Sequence, residues 1–154
     1  MRCSALAAVL ALALPSFAHA GAPTSLSAAE VPALLKPPAH GVRIIAIWSL
    51  DCAYCEANMQ ALAKLQHAHP REIELVTVAT DDIGQSAAIE ARLGAAHMGG
   101  YPARAYAEAS PGRLDFMIDP GWGGETPRTE IIRADGSRQG ITGEITETQL
   151  DKLP

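Results

Sequence analysis

The segment IIAIWSLDCAYCEANMQ, residues 44–60, carries the strongest structural signals in this chain. The apolar, largely β-branched run 42–48 predicts a strand that is buried on both faces of a sheet. Residues 52–69 contain no glycine or proline, and they predict a helix that ends before Pro70. Its apolar residues recur at helical spacing: Met59, Leu62 and Leu65. A Cys-x-x-Cys pair therefore lies where a buried strand passes into a helix.

The amino-terminal residues have the pattern of a secretory signal peptide. Arg2 precedes the uncharged apolar run 5–14, and Ala18-His19-Ala20 fits a small-x-small cleavage site before Gly21. We expect residues 1–20 to be removed, which places the product in the periplasm or outside the cell and leaves it without a membrane span. Cys3 would be removed with the signal peptide.

Composition limits the classes of partner. Loss of Arg2 leaves 11 basic and 17 acidic residues and takes the net charge from −5 to −6. No basic cluster indicates binding to nucleic acid or to an anionic membrane surface. Thiols oxidise in an exported compartment unless they are kept reduced, so a lone close pair such as Cys52 and Cys55 calls for a chemical explanation.

The segments that flank the cysteine region predict an α/β architecture. Residues 21–41 are an Ala- and Pro-rich lead-in with a short helix, opened at Ser27–Glu30 and stopped at 36–38. Residues 73–79 predict a strand parallel to the first, reached by a right-handed crossover. Asp81 or Asp82 can cap a helix over 84–97.

The second half of the chain is less regular at first and then clear. Residues 99–125 are loop-like, with a short strand expected at 114–118. Residues 128–142 predict a β-hairpin around the turn Ala-Asp-Gly-Ser, and residues 146–153 predict a helix opened by a Thr-x-x-Gln box. Residues 42–154 are therefore expected to form one α/β domain, a mixed sheet with helices on both faces.

The position of the two cysteines suggests redox chemistry. The N–H groups and the positive dipole at a helix start stabilise an anion, so Cys52 can ionise and act as the nucleophile. Cys55 lies three residues later, within disulfide reach, and can attack a mixed disulfide as the resolving thiol.

Ligand requirements limit the other uses of the cysteine pair. Structural zinc needs a second Cys/His pair that this sequence lacks, and His67 and His69 are too far along the same helix. Covalent haem needs a histidine after the second cysteine, where Glu56 stands. We expect no metal and no cofactor. Two alternatives stay open: a non-catalytic copper-binding or delivery module with the cysteines as soft ligands, and a disulfide that only braces the helix start.

The combined motifs resemble a known family. A strand that ends in Trp48, a Cys-x-x-Cys four residues on, and ETPRTEIIRADGS at 125–137 resemble the thioredoxin-like fold. The likeness covers about residues 40–153. It is greatest to the exported thiol-disulfide oxidoreductases of the TlpA type, which include proteins that reduce apocytochrome cysteines during cytochrome c maturation.

That resemblance implies an activity and several site residues. Pro127 would be a cis-proline facing the cysteines, Thr126 would contact substrate, and Trp48 would pack beside the site or simply end a strand in the core. Substrates would be proteins with cysteine thiols or disulfides. Reduction is the expected direction, and a reductase would then need a membrane-bound electron donor, because the periplasm has no reducing buffer.

The sequence also departs from the family pattern. Ala46 and Asn58 stand where thioredoxin and some TlpA-type reductases, respectively, have an acidic residue. The proton acceptor is therefore unassigned, with Glu56 and Asp51 as candidates. Asp51 also precedes Cys52, where its carboxylate would disfavour ionisation of the thiol. Trp122 and Glu125 either form a partner-binding rim or close a loop before Pro127.

Overall fold

A computed structural model describes residues 22–153 of the 154-residue chain. The expected signal peptide, residues 1–20, and Cys3 within it lie outside the described residues. Among residues 22–153, no helix combines the length and the apolar character that crossing a membrane requires.

The core of the protein is a six-stranded mixed sheet. Its strands are β1 (Thr24–Leu26), β2 (Val42–Trp48), β3 (Ile73–Asp82), β4 (Ala103–Tyr106), β5 (Arg128–Arg133) and β6 (Arg138–Thr142). The spatial order is β1-β4-β3-β2-β5-β6; the first four strands are parallel, while β5 runs antiparallel to β2 and β6 antiparallel to β5. The predicted mixed sheet and the parallel pairing of β2 with β3 are confirmed.

Helices cover both faces of this sheet. They are α1 (Val31–Leu34), α2 (Cys55–Ala68), α3 (Ser86–Ala95), α4 (Pro111–Ile118) and α5 (Glu147–Leu150). Successive side chains of a strand point to opposite faces. Ile44, Ala46 and Trp48 accordingly join the apolar cluster that includes α2 and α3, and Ile45 and Ile47 join the one that includes α1 and α4.

Several predicted elements are present with small shifts. The hairpin occupies the predicted residues, and Thr146 and Gln149 form the expected capping box before α5. Asp82, one of two candidate caps, accepts a hydrogen bond from the N–H of Gly84 at 2.8 Å. Helix α2 begins at Cys55 rather than at Cys52.

The expected strand at 114–118 is wrong, because these residues belong to helix α4. Pro111 stands in the first turn, where its missing N–H and fixed φ favour a helix. Leu114 and Ile118, one helical turn apart, are both fully buried in the second cluster. The strand of this region is β4, within the stretch expected to be loop.

Residues 21–41 were expected to lead into the domain, but part of this segment belongs to it. Strand β1 extends the sheet beside β4, with Thr24 paired with Arg104. Arg43 on β2 donates to the backbone oxygens of Leu34 at 3.1 Å and Lys36 at 2.8 Å. The boundary expected at residue 42 therefore does not separate two structural units.

Candidate active site

Cys52 and Cys55 form a disulfide, with their Cα atoms 5.5 Å apart. Cys55 is the first residue of α2, and Cys52 lies in the preceding turn, where its N–H donates to the backbone oxygen of Ser49 at 3.3 Å. Cys52 keeps 8% of its surface exposed and Cys55 keeps 2%. Cys52 is thus the more accessible of the two to the sulfur of another molecule.

The loop that carries Cys52 is tied to the neighbouring strand. The N–H of Leu50 donates to Oδ2 of Asp81 at 2.9 Å. Asp81 lies near the end of β3, and the carboxyl ends of the adjacent parallel strands β2 and β3 lie at the same edge of the sheet. Asp81, the other candidate cap, therefore anchors the cysteine loop, while Asp82 caps the next helical turn.

The segment that faces the cysteine loop contains the predicted cis peptide bond, between Thr126 and Pro127. The hydroxyl of Ser49 lies 3.0 Å from that of Thr126 and donates to Oδ1 of Asp51 at 2.9 Å. Because Ser49 has one hydroxyl proton and gives it to a carboxylate, Thr126 must be the donor to Ser49. A chain of hydrogen bonds therefore links Thr126 to the residue before Cys52.

The backbone of Thr126 is left open by the fold. Within residues 22–153, its N–H and C=O make no hydrogen bond to another group of the chain. The carbonyl of Pro127, one residue later, accepts from Gly143 at 2.8 Å, and Arg128 then enters strand β5. An extended peptide laid beside Thr126 would find both backbone groups unpaired.

Trp48 is a core residue rather than a surface one. Its side chain ends β2, is 1% exposed, and belongs to the same apolar cluster as Ala46 and both cysteines. The structure places Trp48 in the core, as one of the two interpretations of its position predicted. Its burial suits it to supporting the cysteine loop.

Asn58 is a structural bridge. Its side chain is buried; Nδ2 donates to Oγ1 of Thr129 at 3.2 Å, and Oδ1 accepts from the N–H of Ile145 at 2.8 Å. The amide therefore joins α2 to strand β5 and to the loop after β6. At this position some TlpA-type reductases have a glutamate, whereas in this chain Asn58 makes two structural hydrogen bonds.

The two candidate proton acceptors lie on either side of the cysteine pair. Asp51 is exposed and accepts from Ser49, which connects it to Thr126. Glu56 lies in the first turn of α2 and accepts from Gln60 one turn further along, at 3.3 Å. Of the two, Asp51 is the one that belongs to the hydrogen-bond chain across the site.

Trp122 closes the loop before the cis-proline. Its indole N–H donates to the backbone oxygen of Glu125 at 2.9 Å, and the ring is 5% exposed. The guanidinium carbon of Arg128 lies 5.9 Å from the ring centroid. Of the two roles considered for Trp122, loop closure is the one that this geometry supports, while Glu125 is exposed.

A carboxyl and a phenol meet on the inner side of the same loop. The hydroxyl of Tyr106 donates to Oδ1 of Asp115 at 2.8 Å, and Oδ2 of Asp115 would lie 3.0 Å from a Cβ placed on Gly124. Burial, with a further contribution from the nearby charge of Glu125, raises the pKa of Asp115 above its usual value. Burial also raises the pKa of Tyr106.

The sequence singled out the cysteines and Pro127, but it did not single out three residues of this region: Ser49 and Asp81, which bond to the neighbouring segments, and the buried Arg128. Ser49 and Asp81 had a detectable signal, since polar residues that follow adjacent parallel strands lie at one sheet edge. Arg128 had none, because its burial depends on how the hairpin and the loop before it pack together. Among residues 22–153, no three His, Cys, Asp or Glu side chains are grouped so as to hold a metal ion.

Comparison with known proteins identifies the fold. A thioredoxin-related protein from Neisseria meningitidis serogroup B is 27% identical, with a TM-score of 0.58 over 74% of this chain and 82% of that one. A secreted disulfide oxidoreductase of Mycobacterium tuberculosis, homologous to DsbE of Escherichia coli, is 17% identical, with a TM-score of 0.55 over 73% and 82%.

A third similar structure is a thiol:disulfide interchange protein of the thioredoxin family from Chlorobium tepidum, 17% identical with a TM-score of 0.56 over 78% and 79% of the two chains. No protein-family model and no curated protein sequence matches the chain. The fold is thioredoxin-like, and the solved structures that share it include thiol-disulfide oxidoreductases.

Proposed function

We propose that this protein is an exported thiol-disulfide oxidoreductase of the TlpA type that reduces disulfides in other proteins. The observation that carries the proposal is the Cys52–Cys55 disulfide at the start of α2, facing a cis-proline loop that Ser49 ties to the cysteine loop. A disulfide that only braced a helix would not require the open backbone of Thr126 beside it.

The reduction proceeds in two exchanges. The thiolate of Cys52 attacks one sulfur of the partner's disulfide, which forms a mixed disulfide and releases the partner's other sulfur as a thiolate. The thiolate of Cys55 then attacks the sulfur of Cys52, which releases the partner's second thiolate. The partner gains two electrons and two protons, and the Cys52–Cys55 disulfide shown by the structure is the oxidised product.

The cis-proline loop would hold the partner during these steps. Thr126 and Pro127 form the substrate-binding segment, and the unpaired backbone groups of Thr126 can pair with an extended peptide next to Cys52. The hydroxyl of Thr126 is already engaged with Ser49. Recognition by main-chain pairing would let the protein accept cysteines in different sequence contexts. Trp48 would contribute to the apolar core that contains both cysteines.

The start of α2 would favour the thiolate of Cys52. The unsatisfied N–H groups at a helix start stabilise an anion, and Cys52 lies in the turn that precedes the first helical residue. Asp51 and Glu56 are the proposed proton acceptors, because Ala46 is apolar and both polar atoms of the Asn58 amide are in use.

The proposal has three parts: the protein is exported, it acts in the reducing direction, and it is of the TlpA type. The signal-peptide pattern of residues 1–20 supports export, and a structurally similar protein is described as secreted. The TlpA-like motifs support reduction, in which case a membrane-bound donor must regenerate the dithiol. Cytochrome c maturation or the repair of other periplasmic disulfides would be the setting.

Trapping of the mixed disulfide tests the activity. The Cys55→Ser variant, reduced and mixed with a disulfide-bonded protein, should accumulate a covalent complex through Cys52, since no resolving thiol remains. The Cys52→Ser variant is the matched control and should accumulate little. Equal trapping by both variants, or by neither, would contradict the proposal. Tight Cu(I) binding by the reduced wild type without any exchange would favour the copper-delivery alternative.

A further inference from the structure

A buried arginine directly follows the cis-proline. Arg128 is 7% exposed, although arginine is seldom buried unless it is paired. Its Nε donates to Glu130 at 2.8 Å and its Nη1 to the hydroxyl of Thr142 at 2.7 Å, while Nη2 forms an ion pair with Asp119. One guanidinium thus contacts its own strand, the next strand and the residue at which the preceding loop begins.

The fold makes specific room for this guanidinium. A Cβ placed on Gly140 of β6 would lie 1.6 Å from Nη2 of Arg128, so no side chain can stand there while Arg128 keeps its position. Glu130 is 1% exposed and is also paired with Arg138 at 3.5 Å. The network has a buried centre, Arg128 with Glu130, and more exposed partners, Asp119, Arg138 and Thr142. A buried pair whose polar atoms are partnered fixes geometry more firmly than an exposed ion pair does.

The network holds both ends of the loop 119–127, which is named here the proline loop. Asp119 at its start is paired with Arg128, which immediately follows its end. Between these ends, Trp122 lies against the guanidinium and donates to the backbone of Glu125, next to Thr126. The position of Thr126 therefore depends on Arg128 through a short series of direct contacts.

Arg128 lies on the face of β5 away from the cysteines. Neighbouring residues of a strand point to opposite faces, and Thr129 contacts Asn58 of α2, on the side of the disulfide. The guanidinium is consequently separated from the sulfurs by the sheet. Any effect it has on exchange is expected to pass through the proline loop rather than through its own charge.

We infer that Arg128 is a positioning residue that fixes the proline loop, and with it Thr126, in the geometry that receives the partner protein's disulfide. This inference rests on the proposed function. It adds that recognition of protein substrates is set by a buried network on the opposite face of the sheet. A small thiol reagent such as dithiothreitol makes no extended backbone contact, so its exchange depends less on that loop.

The test compares two substrates in three variants. In Arg128→Gln we expect kcat/KM for a disulfide-bonded protein to fall about tenfold more than the rate constant with dithiothreitol, mostly through KM. Arg128→Lys should behave like Arg128→Gln, because the single ammonium group of lysine cannot donate to all the partners that the planar guanidinium reaches. Arg43→Gln is the matched control: Arg43 also joins an ion pair and several carbonyl oxygens, at the other end of the sheet.

A second readout does not depend on activity. Amide hydrogen exchange in residues 121–126 should quicken in Arg128→Gln and stay as in the wild type in Arg43→Gln. If amide exchange in the proline loop changes but neither the wild type nor any variant exchanges disulfides, the proposed function fails, while the structural role of Arg128 stands. If Arg128→Gln does not fold, Asp119→Asn and Thr142→Val each remove one partner of Arg128 at a side chain that is more exposed than Arg128 itself. Each should lower the rate with the protein substrate about threefold.

Two results would overturn the inference. One is a folded Arg128→Gln protein whose exchange with protein and with dithiothreitol changes by the same factor. The other is full rescue by Arg128→Lys, which would show that a buried positive charge suffices and that the fork to Asp119, Glu130 and Thr142 plays no part.

Discussion

The two ends of the sheet differ: one carries the cysteine pair, and the other carries an open groove. At the carboxyl ends of β2 and β3 lies the disulfide, with Cys52 only slightly exposed. At the opposite end lies a groove of about 780 Å³, named here the distal groove, whose lining includes Glu74, Leu75, Gly100 and Tyr101. The cysteine pair therefore does not line this groove.

Hydrogen bonding differs between the ends as well. At the cysteine end, Ser49, Asp81 and Asn58 each connect segments that are distant in the chain. At the distal groove, Arg43 and Glu74 of neighbouring strands form an ion pair, and the Tyr101 hydroxyl donates to Gln66 of α2 at the longer distance of 3.3 Å. Exchange with another protein requires a reachable sulfur in a fixed setting rather than a deep pocket, and the cysteine end has these properties.

The largest predicted difference is in exchange activity. Cys52→Ser should lower disulfide exchange by at least about a thousandfold, because it removes the attacking sulfur. Gly100→Phe should leave the rate within about twofold, since a Cβ there meets nothing within 4 Å and the ring would only fill the distal groove. Reduction of a disulfide-bonded protein by each variant measures both. A large loss in Gly100→Phe would make the distal groove part of the substrate site and break the comparison.

Stability should differ between the two ion pairs. Glu130→Gln should destabilise the fold by about 3 kcal/mol, because it leaves buried Arg128 without its main counter-charge. Glu74→Gln, at a side chain that is 52% exposed, should cost at most about 1 kcal/mol. Urea unfolding of both variants gives the comparison. Equal losses would mean that the buried network contributes no more than a surface pair.

The two ends of helix α2 provide a third contrast. Asn58→Ala should cost about 2 kcal/mol, since it removes two hydrogen bonds and leaves the buried N–H of Ile145 unpaired. Gln66→Ala, which removes an acceptor of the Tyr101 hydroxyl at 3.3 Å, should cost about 0.5 kcal/mol. Thermal or urea unfolding distinguishes them, and a larger loss in Gln66→Ala would contradict the bridging role of Asn58.

The smallest effect is a pair of opposite pH dependences. Burial raises the pKa of Asp115, beside the proline loop, whereas hydrogen bonds from Ser27, with the charge of Arg104, lower the pKa of Glu30. A raised carboxyl pKa means that stability is lost as pH rises through the folded value; a lowered one means that stability is lost as pH falls. As pH rises from about 3.5 to about 7, the free energy of unfolding of Asp115→Asn should therefore increase relative to that of the wild type. Over the same range, that of Glu30→Gln should decrease relative to the wild type.

Urea midpoints of these two variants at both pH values supply the measurement. Since each variant removes one carboxyl, the other titrating groups cancel in the comparison with wild type. A parallel change in the two variants would show that the surroundings of Asp115 do not differ in kind from those of Glu30.

Much of the fold was predictable because local patterns coincide with tertiary roles. The run 42–48 is apolar because β2 lies in the centre of the sheet. The turn Ala-Asp-Gly-Ser predicts the hairpin 128–142. The segment 114–118 was misassigned because a run of five residues fits both periods, and only the burial of Leu114 with Ile118 reveals the helix. Strand β1 has three residues, and its pairing with β4 is a tertiary event.

The candidate site also contains residues that the sequence predicts and residues that it does not. Cys52, Cys55 and Pro127 belong to short motifs whose spacing is visible in the sequence. Arg128 was not predictable as a buried residue, since its partners Asp119 and Thr142 come from other segments and Gly140 gives it room only across the hairpin. Contacts of this kind depend on the order of the strands, so they can be predicted only when the sheet topology is known.

The reduction potential of the Cys52/Cys55 pair tests the central claim most directly. The purified protein would be equilibrated with dithiothreitol or glutathione redox mixtures, and free thiols would be trapped and counted. The proposed reductase predicts a reversible two-electron couple near or below about −270 mV. A reversible couple near about −120 mV would contradict the reducing direction, and the absence of any reversible couple would contradict redox function itself.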